Sequence, residues 1–160
     1  MQISKDGKII DDDFRHLTED EAPTEGRFTV SLARWQAEKE SLLAAGGVLG
    51  VRLRGENKLE DIASDLPQLE LIVVEFPALA DGRGFSLARL LRDRYGYSGE
   101  IRARGDFIRD QVYFLARVGV NAFEPKEGTN LEALLPALTE FTVNYQAAAD
   151  EKPPLYRRRG

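Results

Sequence analysis

The sequence contains no cysteine and only one histidine, one tryptophan and one methionine among its 160 residues. The absence of cysteine excludes disulfides, thiolate nucleophiles, thiolate-held iron–sulfur clusters and cysteine-based zinc sites. No apolar run is long enough to cross a bilayer, and the charged N-terminal residues lack the apolar stretch of a signal peptide. We therefore expect a cytoplasmic protein without a membrane partner.

Excess positive charge is also absent, since the net charge is −5 and the isoelectric point is near 5.1. A nucleic-acid-binding surface needs a dominant basic field, so no nucleic-acid partner is expected. A hydrophobic content of 42% over this length fits one domain with a substantial core. We predict a flexible acidic arm at residues 1–26, a single α/β domain at 27–150 and a basic tail at 151–160.

The one histidine, His16, lies in the acidic segment 11–21. That composition is typical of a solvated stretch, so we interpret His16 as an exposed bystander rather than a general base. Without cysteine, a metal would depend on carboxylates, and no spacing in the sequence indicates such a site. We therefore predict no metal site.

From residue 31 onward, short apolar runs alternate with amphipathic segments. The run 69–76 is continuously apolar, as in a central strand that is covered on both faces. This alternation predicts right-handed crossovers and an open three-layer α/β fold with a parallel sheet, flavodoxin-like or Rossmann-like. A partial (β/α) barrel is the alternative, because local pattern does not distinguish the two. Strands are predicted at 27–30, 48–53, 69–76, 100–104 and 121–124, and helices begin at Ser31, Ser86, Asp106 and Leu131, the last ending near Ala148.

Arginine is concentrated in the segment 75–117, which holds eight arginines, six carboxylates and no lysine. Arginine is always charged, and its planar fork of donors matches carboxylates and oxyanions. One predicted strand in this segment places Arg102 and Arg104 on the same face of the sheet. Because an unpaired buried charge is costly, we predict that Glu75 contacts one of these arginines, with Asp110 as a further supporting partner.

The loop from Asp81 to Ser86 combines two glycines, one arginine and the start of a predicted helix. Glycines permit close approach of the backbone to a ligand, and a helix N-terminus attracts anions. The loop lacks the Gly-Lys-Ser/Thr ending of a nucleotide-binding P-loop. We predict that it binds an anion together with two neighbouring loops at the C-terminal edge of the sheet. The candidate anion-binding residues are Asp81, Gly82, Arg83, Gly84, Ser86, Arg102, Arg104, Asp106 and Arg109.

Several charged phrases occur in an order that resembles the DUF934 family of bacterial proteins. They include Glu75-Phe-Pro, the run 81–92, the run 96–103, Arg109-Asp-Gln and Tyr145-Gln. The resemblance extends from about Leu32 to the C-terminus. It implies a role in assimilatory sulfite reduction, either as an accessory protein or as an oxidoreductase.

Two functions follow from the residues and the resemblance together. The first is an accessory protein that binds sulfite reductase, another sulfur-assimilation protein or a small anion through the arginine-rich edge. The alternative is an oxidoreductase with a noncovalently bound flavin or nicotinamide cofactor. The incomplete glycine fingerprint and the lack of cysteine favour the accessory protein. The identity of any cofactor, and whether the protein is an enzyme, are left open by the sequence.

Overall fold

The computed structural model describes residues 2–23, 26–76, 82–105, 109–126 and 128–136. Within these ranges, eight strands form one mixed sheet. The strands are β1 (Gln2–Lys5), β2 (Lys8–Asp11), β3 (Arg15–His16), β4 (Arg27–Ser31), β5 (Val48–Leu53), β6 (Leu71–Phe76), β7 (Glu100–Gly105) and β8 (Ala122–Pro125). The α-helices are α1 (Leu32–Ala44), α2 (Gly82–Asp93) and α3 (Arg109–Arg117), and 3-10 helices cover Leu59–Asp61, Ala63–Gln68 and Leu131–Leu134.

The sheet order is β2-β1-β8-β7-β6-β5-β4-β3. All neighbouring strands from β3 to β8 are parallel, whereas β1 is antiparallel to both β2 and β8. Consecutive parallel strands are direct neighbours, so right-handed crossovers place α1, α2 and α3 on the same face. A doubly wound sheet would instead reverse its strand order and carry helices on both faces.

The sheet curls strongly, and this is visible in a contact between two distant strands. His16 lies on β3 and Glu124 on β8, with four strands between them, yet their side chains are 2.9 Å apart. The α/β class is therefore confirmed. Of the two predicted geometries, the partial (β/α) barrel is the one that fits the sequential order and the curvature.

The apolar core lies between the helices and the convex face of the sheet. Trp35 of α1 is fully buried in it, and the Ser31 hydroxyl caps α1 by accepting from the Arg34 amide at 3.1 Å. In β6, Ile72 belongs to this core, whereas Val73 packs on the concave face in a second apolar cluster. The prediction of a central strand with both faces covered is thus confirmed.

The first segment of the chain belongs to the sheet, which corrects the prediction of a flexible arm. It supplies β1, β2 and β3, and Ile3 and Leu17 are buried at 0% and 1% exposure. These strands are two to four residues long and carry many charges, so they lack the long apolar alternation by which strands are recognised. Residues 137–160, with most of the predicted last helix and the basic tail, lie outside the described residues. Among the described helices, none is both long and apolar enough to span a membrane.

Candidate functional site

The concave face of the curled sheet carries a network of charged side chains. Side chains alternate between the two faces along a strand, so alternate residues of β6, β7 and β8 face the interior. Such positions are occupied by Glu75, Arg102, Arg104 and Glu124. Hydrogen bonds join Arg102 to Glu124, and Arg104 to both Glu124 and Glu75. Two arginines on one face of a strand are thus met by carboxylates from both neighbouring strands.

Arg102 of β7 is the centre of the network and is fully buried. Its Nη1 and Nη2 donate to the two carboxylate oxygens of Asp12, at 2.9 Å each. Its Nε donates to Glu100 at 2.9 Å, and its Nη1 also donates to Glu124 at 3.0 Å. Burial lowers the pKa of a guanidinium, but the bonds to Asp12 and the charges of Glu100 and Asp12 outweigh burial and raise the pKa of Arg102. Arg102 therefore stays charged and is neutralised by three segments of the chain.

Glu124 of β8 collects three donors on one buried carboxylate. His16 Nε2 donates to it at 2.9 Å, and Arg102 Nη1 and Arg104 Nε donate at 3.0 Å each. Burial raises the pKa of this carboxyl, but the hydrogen bond and charge of His16 and the bonds from both arginines lower the pKa to about 2. Glu124 therefore remains ionised near neutral pH and joins the deep part of the network to its outer part.

His16 is not the exposed bystander that its acidic surroundings suggested. Its side chain is 12% exposed, and besides the bond to Glu124 its Nδ1 lies 2.7 Å from the hydroxyl of Thr29. The prediction was wrong because the acidic segment is not merely solvated: Asp12 in the same segment pairs with buried Arg102. The histidine is part of the interior network.

The order of hydroxyl, imidazole and carboxylate in Thr29, His16 and Glu124 resembles the hydrogen-bond chain of a serine-hydrolase triad. Thr29 is fully buried, however, and its hydroxyl also accepts from Arg52 Nη1 at 2.8 Å. A catalytic hydroxyl must reach the substrate carbonyl. The three residues therefore form a structural hydrogen-bond chain rather than a nucleophilic triad.

Arg104 of β7 lies at the outer end of the network, where its side chain is 38% exposed. Its Nη1 donates to Glu75 at 2.9 Å and its Nε to Glu124 at 3.0 Å. The predicted contact between Glu75 and one of the two strand arginines is therefore confirmed. Among the described residues, no hydrogen bond of the second terminal nitrogen of Arg104, Nη2, is found, and the side chain is partly exposed.

Arg52 of β5 brings a second positive charge to the same end of the sheet. Its terminal nitrogens donate to the backbone carbonyls of Thr29 and Leu17, at 2.9 and 2.7 Å, which are neutral partners. The nearest carboxylate is Glu75, 4.0 Å from Nε. Burial lowers the pKa of Arg52, Glu75 raises it, Arg104 lowers it and Glu19 raises it, with a lowered pKa as the net result. The charge of Arg52 is thus only weakly compensated.

A cavity of about 470 Å³ opens over these side chains, and we call it the mouth cavity. It lies at the C-terminal ends of the parallel strands, where α/β proteins of open and barrel type bind their ligands. Another cavity, of about 590 Å³, lies at the opposite ends of the strands beside Lys5 and Tyr95, so its position argues against a primary site. The mouth cavity is lined by His16, Leu17, Thr18, Glu19, Ser31, Leu32, Ala33, Arg52, Arg54, Asn57, Glu75 and Arg104.

The predicted glycine loop is described only in part. Asp81 and Asp106 lie outside the described residues, and for Arg109 and Asp110 only the backbone, in α3, is described. Helix α2 begins at Gly82, so Ser86 lies within the helix and is not its cap. Among the described residues of the loop, Arg83, Gly84 and Ser86 are absent from the lining of the mouth cavity, and for Gly82 only the backbone is described.

The glycine at position 84 is explained by packing rather than by ligand binding. A Cβ at this position would lie 2.3 Å from Cε1 of Phe76, so the glycine lets α2 approach the end of β6. Arg83 beside it is exposed on the first turn of α2. The role of these residues in binding an anion stays a prediction.

Sequence reasoning missed Asp12, His16, Arg52 and Glu124. One signal was available for Arg52, since it is the single charged residue of the apolar strand Val48–Leu53. Such a charge on an interior strand demands partners, as was reasoned for Arg102 and Arg104. No comparable signal marked Asp12 and His16, whose partners lie about 90 and 108 residues away. In the described part of the chain, no cluster of three or more acidic or histidine side chains is arranged to hold a metal ion.

Comparison with known proteins gives one family match. A family model described as a bacterial protein of unknown function, DUF934, matches residues 50–156. No curated protein matches the chain. Among solved structures, the Bacillus subtilis YkuI protein, with an EAL domain and in complex with substrate c-di-GMP and calcium, is similar at 14% identity and a TM-score of 0.48. That match covers 79% of this chain and 35% of the other, so the chain spans about a third of its length.

Proposed function

We propose that this protein, which belongs to the DUF934 family, is an accessory protein that binds a small oxyanion in the mouth cavity. The observation that carries the proposal is the sharing of one carboxylate by two guanidinium groups. Glu75 lies 2.9 Å from Arg104 and 4.0 Å from Arg52, and no other described carboxylate contacts Arg52. The second carboxylate partner of Arg104, Glu124, is itself shared with Arg102 and His16, so Arg52 and Arg104 are incompletely compensated and attract a further anion.

The remaining charged residues of the cavity lining also favour the binding of an anion. Arg54 adds a third guanidinium, and its only described partner, Glu56, is 3.7 Å away in an exposed pair. Exposed pairs of this kind contribute little and exchange readily. In its described part, the lining thus carries three arginines against two carboxylates, Glu19 and Glu75. A tetrahedral or pyramidal oxyanion matches the planar donor edge that Arg104 presents.

We extend the proposal to assimilatory sulfite reduction, the process that the DUF934 resemblance suggests. Sulfite is a small oxyanion of the kind that the arginines of the mouth cavity suit. The proposed partner is sulfite reductase, and the proposed location is the cytoplasm. Co-elution of the purified protein with purified sulfite reductase on a sizing column tests the partner. Separate elution at micromolar concentrations of both proteins would contradict it.

Anion binding is tested by calorimetric titration of sulfite, sulfate and phosphate into the wild type and three arginine variants. Arg104→Gln should weaken binding at least about tenfold, because it removes one charge-assisted bond of the ligand. Arg89→Gln is the matched control, since the side chain of Arg89 on α2 is 72% exposed and pairs with Asp93 at 3.5 Å. Its affinity should equal that of the wild type.

Arg83→Gln separates the mouth cavity from the glycine loop. If this variant loses binding and Arg104→Gln retains it, the anion binds at the first turn of α2 and the mouth cavity is not the site. Melting temperatures of all variants identify any loss that comes from unfolding. A visible spectrum of the freshly purified protein accompanies the titrations, because a flavin band would favour the oxidoreductase over the accessory protein.

A further inference from the structure

We infer that the mouth cavity takes up a proton on His16 when it binds its anion. This inference rests on the proposed function and specifies how the same site is regulated. The mouth cavity is lined by both His16 and Arg104. An anion held by Arg104 therefore lies close to the imidazole.

Among the residues that the structure describes, the charges of the interior network balance only when His16 is neutral. Its cations are four in number: Lys5, Arg52, Arg102 and Arg104. Its carboxylates are also four: Asp12, Glu75, Glu100 and Glu124. A bound anion therefore leaves this interior with excess negative charge, one unit for a monoanion and two for sulfate. A charge in a poorly solvated interior is costly, and a proton on the imidazole reduces the excess by one unit.

The hydrogen bonds of His16 suit both of its protonation states. In the neutral form, Nε2–H donates to Glu124 and Nδ1 accepts from the Thr29 hydroxyl. In the protonated form, Nδ1–H donates to the same hydroxyl, whose oxygen has two acceptor sites and already uses one for Arg52. The proton thus requires only that the hydroxyl hydrogen of Thr29 turn away from Nδ1. The ligand state of the cavity can then decide which form prevails.

Charged groups face the imidazole from every neighbouring strand. Glu124 of β8 favours the protonated form, whereas Arg102 and Arg104 of β7 share that carboxylate and favour the neutral form. Glu75 of β6 favours the protonated form and Arg52 of β5 favours the neutral form, and these two side chains lie 4.0 Å apart. Glu19, also in the lining, is held by the Ser31 hydroxyl at 2.6 Å. An anion on Arg104 adds negative charge to this balance and favours the imidazolium.

The single histidine makes the inference measurable without any substitution. The Hε1 resonance of His16 is the one histidine signal of its kind, so its chemical shift can be followed against pH. Sulfate is the probe, because it keeps its charge over the range in which histidine titrates, and sodium chloride at equal ionic strength is the reference. With sulfate, the midpoint should move upward by about one pH unit, which corresponds to about tenfold tighter sulfate binding to the protonated protein.

The outcomes separate this inference from the proposed function. If calorimetry detects sulfate binding and the His16 midpoint moves by less than about 0.2 pH units, proton coupling is refuted and anion binding stands. If calorimetry detects no binding, the proposed function fails, and the inference with it. Arg89→Gln should preserve the upward movement, whereas Arg104→Gln should abolish it. Titrations in two buffers of different ionisation enthalpy should show proton uptake in the wild type and none in His16→Gln.

Discussion

Replacement of Asp12 by asparagine removes one negative charge from the most buried part of the network. The side chain of Asp12 is 5% exposed and forms a two-pronged ion pair with fully buried Arg102. An asparagine of nearly equal size keeps one acceptor oxygen but turns an amide group toward a guanidinium nitrogen. Loss of one partner of a buried pair typically costs about 3–5 kcal/mol. Arg102 retains Glu100 and Glu124, so we expect about 2–3 kcal/mol.

The neighbouring residue supplies the matched control. Asp13 is 79% exposed, and its pair with Arg27 is a surface one at 3.0 Å. Asp13→Asn should therefore change the free energy of unfolding by less than about 1 kcal/mol. Urea unfolding followed by tryptophan fluorescence measures both variants, and Trp35 in the core reports on the transition. In thermal unfolding, Asp12→Asn should lower the melting temperature by about 6–9 °C. Equal stabilities of the two variants would show that the N-terminal segment is a loosely attached arm.

Three further predictions concern the network and the packing around it. Stability should fall as the pH drops from about 4.5 to about 2, because Glu124 has a pKa near 2 when folded against an ordinary value of 4.5. In urea unfolding experiments, Glu124→Gln should reduce this loss of stability at low pH. An unchanged loss would show that other carboxyls cause it. Gly84→Ala should cost about 1–2 kcal/mol by overlap with Phe76, despite the helix propensity of alanine; equal melting temperatures would refute the overlap. Tyr97→Phe should cost about 1 kcal/mol, since Tyr97 donates to the Leu69 carbonyl at 3.0 Å within the core, and a stability gain would contradict this.

Local features of the sequence predicted the parts of the fold that depend on local patterns. The continuous apolar run in β6 indicated a strand covered on both faces, and the serine at position 31 indicated a helix start. The contact of Glu75 with Arg104 followed from a general rule, since buried arginines need carboxylates and neighbouring strands supply them. These inferences needed no knowledge of the curvature of the sheet.

The curvature itself had no local signal, and the missed residues depend on it. An open sheet and a barrel segment share the same alternation of strands and helices, so the sequence did not choose between them. Only the curled sheet brings His16 of β3 to Glu124 of β8 and lets Asp12 reach Arg102. The start of α2 at Gly82 was missed because glycine is a poor helix former. The second glycine of the loop, Gly84, reflects close packing against Phe76.

A crystal structure of the protein grown or soaked with sulfite or sulfate would show where the anion binds. We predict an anion in the mouth cavity, about 3 Å from Nη2 of Arg104 and within reach of the charge of Arg52. If the same anion lies at the first turn of α2 beside Arg83 and the mouth cavity is free of it, the mouth cavity is not the binding site.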